Sequence, residues 1–336
     1  MKRRSILFIL VLFFMMSCSL SSLITPQATE TPILVTPSDT APPPLPTAEL
    51  GLAENPLILA LSPSSHSQVQ IDAAGELATL FTDRTGYAMV TVAPDSYGAL
   101  VEAIEKGNAH IVLLDPTSYV LAYEKGLVKA AFAVVKDSKT MYGSQFIASR
   151  KIGFEPYFNE LTQKNTADAP VALAQFAGKK PCWSDETSPS GYIVPLGFLN
   201  KNQIMTSPAA FVQGHPTVVR SVYAGGICDF GATYVDARKF PSLEDQYPDL
   251  IEQVPVIWRT PEIIPYFILA FSMTMPQSMR DLLTNAIPAI LQTENGKAAF
   301  KNVYDIEELL PVNDAYYEDL RDYVDASRVD LSVFVK

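Results

Sequence analysis

Short apolar runs alternate with amphipathic segments over most of the chain. The runs at 57–61, 87–92 and 111–114 are four to six residues long and rich in Val, Ile and Leu, which is typical of buried strands. Between the first two runs, apolar residues of the segment 71–81 recur at helical spacing, and Gly86 ends that pattern. Strands alternating with helices predict an α/β fold with mostly parallel sheets.

The second half of the chain repeats this alternation. Strands are predicted at 181–184, 209–213 and 227–234, and helices are predicted to follow the first two of them. About 280 residues follow the N-terminal region, which is more than one compact core usually holds. The pattern therefore predicts two α/β lobes.

Polar residues gather where a predicted strand passes into a helix. Ser188 is a good helix N-cap, and Pro189 then occupies the first helical position, where its missing N–H costs nothing. Such a helix start presents hydroxyls, unpaired backbone N–H groups and a positive dipole end, so it can bind an anion. The same residues also make an ordinary capped helix. Similar loops begin at Asp95 and Asp115, and in parallel sheets they meet at one edge, which favours an anion site.

The first 54 residues resemble an export signal and a tether. Three basic residues precede an apolar run at 6–16, which is too short to span a membrane. Cys18 follows a small residue at the end of that run, so residues 1–17 are predicted to be a lipoprotein signal peptide with Cys18 as the lipidated residue. An ordinary secretory signal is the alternative. Residues 18–54, rich in Pro, Thr and Ser, are predicted to tether an extracytoplasmic body to the membrane.

Composition excludes some classes of binding partner. The formal net charge of −11 argues against a nucleic-acid binder. Cys182 and Cys228 form an isolated pair in an exported chain, which indicates one disulfide, with two separate buried thiols as the alternative. No Cys/His group has metal-ligand spacing and no cofactor motif is present, so we expect neither a metal nor a cofactor.

Several motifs together resemble one family. Residues 187–195 (Thr-Ser-Pro-Ser-Gly-Tyr-Ile-Val-Pro) resemble the Thr-Ser-Thr-Ser-Gly-Tyr-Leu-Val-Pro motif of the phosphate/phosphite/phosphonate-binding proteins of ABC importers. Residues 114–122 (Leu-Asp-Pro-Thr-Ser-Tyr-Val-Leu-Ala) resemble its Leu-Gly-Pro-Phe-Ser-Tyr-Val-Leu-Ala segment. Further likeness at 95–101, 214–215 and 304–312 follows in the same order, from about residue 55 to the C-terminus.

The resemblance implies a two-lobed type II periplasmic-binding-protein fold with a ligand cleft between the lobes. Lobe 1 is expected to comprise 55–148 and 255–336, and lobe 2 to comprise 149–254. The implied role is to capture a small tetrahedral oxyanion (phosphonate, phosphite or phosphate) and to hand it to the permease of an ABC importer. We expect a monomer and no enzymatic activity.

The resemblance also implies which residues face the ligand. The candidates are Tyr97, Ser118, Tyr119, Thr187, Ser188, Ser190, Gly191, His215 and Asp236. Phe267 stands where phosphonate-binding members carry an acid that would meet a ligand ammonium, which leaves Asp236 as the nearby acid. We therefore expect ligands with a cationic tail to bind worse than phosphite, phosphate or methylphosphonate.

Two other functions stay open. A lipoprotein of the same fold can sense its ligand, for example a sulfonate, on behalf of a signalling partner. A serine hydrolase would use Ser190 and His215. The sequence has no nucleophile-elbow motif, however, and no acid is visibly placed to orient His215.

Overall fold

The computed structural model describes residues 48–63 and 66–335, without the side chain of residue 335. The predicted signal peptide, Cys18 and residues 18–47 of the predicted tether lie outside the described residues. None of the helices in the described part of the chain is both long enough and apolar enough to cross a membrane.

The folded body begins earlier than the sequence indicated. The backbone carbonyl of Gly51 accepts a hydrogen bond from Ala88 N–H at 2.7 Å, and Gly51 N–H donates to Asn55 at 2.7 Å. Asn55 in turn donates its side-chain amide to the carbonyl of Ala48. Residues 48–54, assigned to the tether by composition, thus pack on the body because their backbone groups find partners next to Ala88.

The elements alternate as the hydrophobic pattern predicts. The described strands are β1 (Leu57–Ala60), β2 (Met89–Val92), β3 (Ile111–Leu114), β4 (Val128–Val135), β5 (Met141–Tyr142), β6 (Ser144–Ala148), β7 (Phe158–Asn159), β8 (Lys164–Asn165), β9 (Pro181–Trp183), β10 (Ala210–Phe211), β11 (Phe230–Tyr234), β12 (Val256–Arg259), β13 (Ile264–Pro265), β14 (Ile268–Ser272) and β15 (Glu308–Pro311). The described α-helices are α1 (Gln68–Thr85), α2 (Tyr97–Glu105), α3 (Pro116–Glu124), α4 (Ala169–Leu173), α5 (Val194–Lys201), α6 (His215–Ala224), α7 (Pro241–Gln246), α8 (Leu250–Gln253), α9 (Gln277–Leu291), α10 (Glu294–Tyr304) and α11 (Glu318–Ser327).

Two sheets organise these elements, and both are mixed rather than mostly parallel. The larger sheet has the strand order β15-β4-β14-β3-β1-β2, and the smaller has β10-β9-β11-β6-β12. In the larger sheet β3, β1 and β2 are parallel, whereas β14 and β15 pair antiparallel to their neighbours. In the smaller sheet β9, β10 and β11 are parallel, and β6 is antiparallel to both β11 and β12. The two-lobed fold class is confirmed, with antiparallel strands wherever the chain crosses between the sheets.

The lobe boundaries shift by about one strand at each crossing. Strands β6 and β12 were assigned by sequence to lobe 1, but they pair with each other inside the smaller sheet. The adjacent strands β5 and β6 also belong to different sheets, because β5 pairs with β13 whereas β6 pairs inside the smaller sheet. Apolar runs do not carry this information, because a buried strand has the same pattern in either sheet.

The C-terminal segment also joins the second lobe, although sequence assigned all of 255–336 to the first. Helix α11 packs along α5, where the rings of Tyr323 and Phe198 stack with centroids 3.8 Å apart. Asn200 donates its side-chain amide to the carbonyls of Ala326 and Ser327, both at 3.0 Å. The chain end therefore fastens the two lobes together.

Cys182 and Cys228 are bonded to each other in the structure, with their Cα atoms 5.6 Å apart. Cys182 lies on β9, the strand that leads into the Ser188 segment, and both cysteines are buried. The link would hold this strand to the residues that precede β11. Its formation in the exported protein stays a prediction.

Candidate ligand-binding site

A cavity of about 580 Å³ lies between the carboxyl edges of the two sheets. The loops that follow β2, β3, β9, β10 and β11 supply most of its wall, and the connections near β5 and β13 supply the rest. The lining residues are Tyr97, Asp115, Pro116, Asp137, Tyr142, Asp185, Thr187, Ser188, Pro189, Ser190, His215, Tyr234, Val235, Tyr266 and Phe267. Ligands of open α/β sheets bind at this edge, which makes the cavity the candidate site.

The Ser188 segment forms one wall. Ser188 caps the helix start with its hydroxyl, which accepts the N–H of Gly191 at 3.0 Å. The next turn, Pro189–Ile193, is a π-helix, so the N–H of Ile193 bonds to the carbonyl of Ser188 at 3.0 Å. This wide turn leads directly into α5 and leaves Ser190 in the cavity wall although only 2 % of its surface is exposed.

Gly191 is required by a close approach rather than by its backbone angles. A Cβ at this position would overlap Ser184 Oγ and lie 2.9 Å from the His215 ring. The absent side chain lets the helix start settle against β9 and α6. That packing sets where Ser188 and Ser190 point.

His215 begins α6 beside Ser188. Its Nδ1 accepts the backbone N–H of Tyr234 at 3.3 Å, so the ring proton lies on Nε2, which is 3.5 Å from Ser188 Oγ. Burial lowers the pKa of His215 to about 4, although the charge of Asp185 opposes this shift. His215 is therefore a neutral donor at ordinary pH.

Two phenols reach the Ser188 segment from outside lobe 2. Tyr97, at the start of α2, lines the cavity together with Thr187, and Tyr142 lines it together with Ser190. The Tyr142 ring stacks on Tyr266 with centroids 5.2 Å apart. Burial raises the pKa of Tyr142 to about 12, and burial together with nearby carboxylates raises that of Tyr97. Both phenols thus keep their protons and can donate them to an oxyanion.

Asp115 caps α3 on the opposite wall. Its Oδ1 accepts the N–H groups of Thr117 and Ser118 at 2.9 and 3.1 Å. Its Oδ2 accepts the hydroxyls of Ser118 at 2.6 Å and Ser62 at 2.5 Å. The sequence identified Asp115 as an N-cap but did not indicate that its carboxylate faces the cavity.

Tyr119 and Ser118 are not placed as predicted. Tyr119 is fully buried, and its phenol donates to Asp314 at 2.9 Å and accepts from Arg321 at 3.3 Å. Ser118 is also fully buried, with its hydroxyl on Asp115. Both side chains are engaged within the protein because the C-terminal segment covers this side of α3. The structure therefore corrects their assignment as ligand contacts.

Asp236 is engaged as well. Arg238 donates to both of its oxygens, at 2.9 and 2.6 Å, and Arg259 lies 3.3 Å from Oδ2. Burial alone would raise the pKa of Asp236, but Arg238 and a hydrogen bond from Gln145 lower it overall. The acid expected to meet a ligand ammonium is thus neutralised by arginines. The acids that line the cavity are instead Asp115, Asp137 and Asp185.

The remaining predicted residues come together. Tyr97, Thr187, Ser188, Ser190 and His215 all line the cavity, and Gly191 lies directly behind Ser190. The lining residues that were not predicted to contact a ligand include Tyr142, Tyr234 and Tyr266. They lie where the chain passes between lobes or where β11 ends, and no local motif marks those places.

The fold and this cavity define a two-lobed periplasmic-type solute-binding protein. Residues 59–317 match the family described as ABC transporter, phosphonate, periplasmic substrate-binding protein. The match covers most of the chain. The chain therefore belongs to this family.

One protein sequence and two solved structures are similar to this chain at low identity. The chain is 23% identical over 215 residues to the phosphate-import protein PhnD of Mycolicibacterium smegmatis, a match that covers 61% of this chain and 62% of that protein. XAC2383 from Xanthomonas citri, solved with chloride, superposes with a TM-score of 0.63 at 14% identity and covers 81% of this chain and 97% of its own. PhnD1 from Prochlorococcus marinus, solved with methylphosphonate, gives a TM-score of 0.55 at 14% identity and covers 80% and 96%. At these identities the structures establish the fold alone.

Proposed function

We propose that this protein captures a small tetrahedral oxyanion (a phosphonate, phosphite or phosphate) between its lobes and delivers it to the permease of an ABC importer. The observation that carries the proposal is a set of neutral donors in the wall of one cavity. The wall contains the hydroxyls of Ser188 and Ser190, the Nε2–H of His215 and the phenols of Tyr97 and Tyr142.

These donors suit an oxyanion that must enter and leave. Neutral hydroxyl and imidazole donors hold a charged acceptor through hydrogen bonds that are each worth about 1.5–3 kcal/mol, without a fixed countercharge. The ligand's oxygens would accept hydrogen bonds from side chains that already line one cavity, among them Tyr97, Tyr142 and Ser190. The donors are thus already assembled before the ligand arrives.

Contacts across the cleft support enclosure of the ligand. Thr117, at the start of α3, donates its hydroxyl to the carbonyl of Thr187 at 3.0 Å. It joins a loop of the larger sheet to the Ser188 segment. Opening this bond would admit a ligand, and remaking it would enclose the ligand.

The geometry argues against a serine hydrolase. A general base must offer a lone pair to the attacking hydroxyl. The lone pair of His215 lies on Nδ1 and accepts the Tyr234 N–H, and Nε2 carries the proton, so the ring offers no free lone pair to Ser190. We therefore propose binding without turnover. Incubation with phosphate and carboxylate esters is expected to release no product.

Titration calorimetry tests the binding function. Phosphite, phosphate, methylphosphonate and methanesulfonate would be titrated into the wild type and into the Ser190→Ala variant. We expect at least one of the phosphorus oxyanions to bind the wild type and to bind the variant about ten- to a hundredfold more weakly. Binding of none of them, or equal binding to both proteins, would refute the proposal.

We further propose that Cys18 carries a lipid that anchors the monomeric protein to the outer face of the membrane that holds the permease. The support is the short apolar run at 6–16 followed by Ser17-Cys18. Mass spectrometry of the exported wild type is expected to find acyl groups on Cys18. The same measurement on the Cys18→Ala variant is expected to find the unprocessed chain. A soluble mature form beginning elsewhere would refute the anchor.

A further inference from the structure

The cavity wall has an unusual charge balance for an anion site. Asp115, Asp137 and Asp185 all line it, and among the described residues the lining contains no Lys or Arg side chain. His215 adds no charge, because burial keeps its ring neutral. An oxyanion in this cavity therefore meets negative charge rather than a countercharge.

Of the three, Asp115 is the one whose carboxylate caps an α-helix at the cavity. A carboxylate offers about four lone-pair positions, and the donors on Asp115 fill them: two backbone N–H groups and the hydroxyls of Ser118 and Ser62. These are the groups that a bound oxyanion would otherwise accept from at the start of a nine-residue helix. The Asp115 carboxylate thus occupies the helix start that could otherwise bind the ligand's oxygens. The family motif that residues 114–122 resemble has glycine at this place.

We propose that Asp115 is a built-in anion that determines the charge of the ligand this protein accepts. By filling the start of α3 it leaves the ligand's oxygens to the Ser188 wall, and its own charge penalises each further negative charge on the ligand. Singly charged oxyanions are therefore favoured over doubly charged ones. This inference rests on the proposed function, since it presumes an oxyanion in the cavity.

The test compares two ligands of the same shape and different charge. At about pH 9, methylphosphonate carries two negative charges, whereas methanesulfonate carries one. Both would be titrated into the wild type and Asp115→Asn, which removes the charge but keeps a good N-cap. Asp115→Ser provides a second neutral cap, and thermal unfolding confirms that each variant is folded.

We expect the ratio of the methanesulfonate to the methylphosphonate dissociation constant to rise about tenfold in Asp115→Asn, because the doubly charged ligand gains more from removing a negative neighbour. Asp168→Asn is the matched control. Asp168 is also a helix N-cap, at α4, but it is exposed and caps through no side-chain hydrogen bond. Its substitution changes the net charge equally and is expected to leave the ratio unchanged.

The outcomes separate this inference from the proposed function. An unchanged ratio in folded Asp115 variants overturns the inference alone, and so does weaker binding of both ligands, which would mean that Asp115 meets a donor or a cation. Binding of methylphosphonate to a variant but not to the wild type supports it. If no protein binds either ligand although the wild type binds phosphite or phosphate, the inference alone is overturned. If the wild type binds none of the four oxyanions, the proposed function is overturned as well.

Discussion

Two helix starts face the same cavity from opposite sheets, and they satisfy their first N–H groups in different ways. At α3 the cap is the carboxylate of Asp115, which accepts two N–H groups and two hydroxyls. At Pro189–Ile193 the cap is the hydroxyl of Ser188, which accepts the N–H of Gly191 and remains near the His215 Nε2. Both are good N-caps by residue type, so they contribute similarly to helix stability. The cap of the second helix start is neutral, and the carboxylate of Asp185 in the preceding loop accepts the N–H and the hydroxyl of Thr187 instead. Under the proposed function, this difference would leave the Ser188 wall to receive the anion.

The largest expected effect concerns the support of the Ser188 wall. The cysteine pair closes a loop with a sequence separation of 46, for which the chain-entropy model gives about 4 kcal/mol. Replacing both cysteines with alanine is expected to lower the free energy of unfolding by about that amount, less any strain relieved. Urea denaturation of the wild type and the double variant measures it. Two free thiols titrated in denatured, unreduced wild type would show that the bridge does not form in the exported protein.

Two tyrosine variants distinguish a phenol that lines the cavity from one that is buried. Tyr97→Phe is expected to weaken binding of the cognate oxyanion by about 1.5–3 kcal/mol, since it removes one hydrogen bond to a charged group. Tyr119→Phe makes the same change at a buried phenol bonded to Asp314, so it is expected to lower thermal stability and leave affinity unchanged. Calorimetry and thermal unfolding of both variants distinguish these roles. A Tyr119→Phe variant that binds more weakly than Tyr97→Phe would reinstate Tyr119 as a ligand contact.

Gly191→Ala tests whether close packing positions the wall. The added Cβ would overlap Ser184 Oγ, and overpacking of this kind costs about 1–3 kcal/mol of stability. We expect ligand affinity to fall as well, because the helix start must move away from β9. Gly75→Ala is the matched control: Gly75 lies within α1 with open space around its Cβ position, so the change is expected to stabilise by up to about 1 kcal/mol. Equal stability changes in the two variants would contradict this view of Gly191.

The smallest expected effect is a dependence of the unfolding free energy on pH. The pKa of His215 is about 4 in the folded protein, below its ordinary value of 6.5, so the unfolded chain binds more protons between these two values. Stability is therefore complete above about pH 6.5 and falls as the pH is lowered toward 4. His215 is partly exposed, so about 1–2 kcal/mol is expected to be lost.

Urea denaturation from pH 7 to 4.5 measures this loss. His215→Gln is expected to reduce the slope of the unfolding free energy against pH. Some slope will remain, because burial also lowers the pKa of His110, whose Nδ1 accepts the Ile58 N–H. Identical slopes in wild type and His215→Gln would mean that the ring is not held neutral.

The sequence by itself determined the features that depend on local pattern. Periodicity located most of the strands and helices, and the hydroxyl-rich loops after the strands located the helix starts that line the cavity. Tyr97, Ser188, Ser190 and His215 lie at such helix starts, and the family resemblance implied that they face the ligand. Such positions are fixed by chain order and sheet direction.

Only the tertiary structure decided which side chains in those segments face the cavity. Tyr119 lies in the first turn of α3, but Asp314 and Arg321, nearly two hundred residues later, hold its hydroxyl. Asp236 is neutralised by Arg259 as well as by its neighbour Arg238, and Tyr142 enters the site because β5 and β6 divide between sheets. Local sequence patterns do not predict such pairings, because the direction of a side chain and its partners depend on residues that only folding brings together.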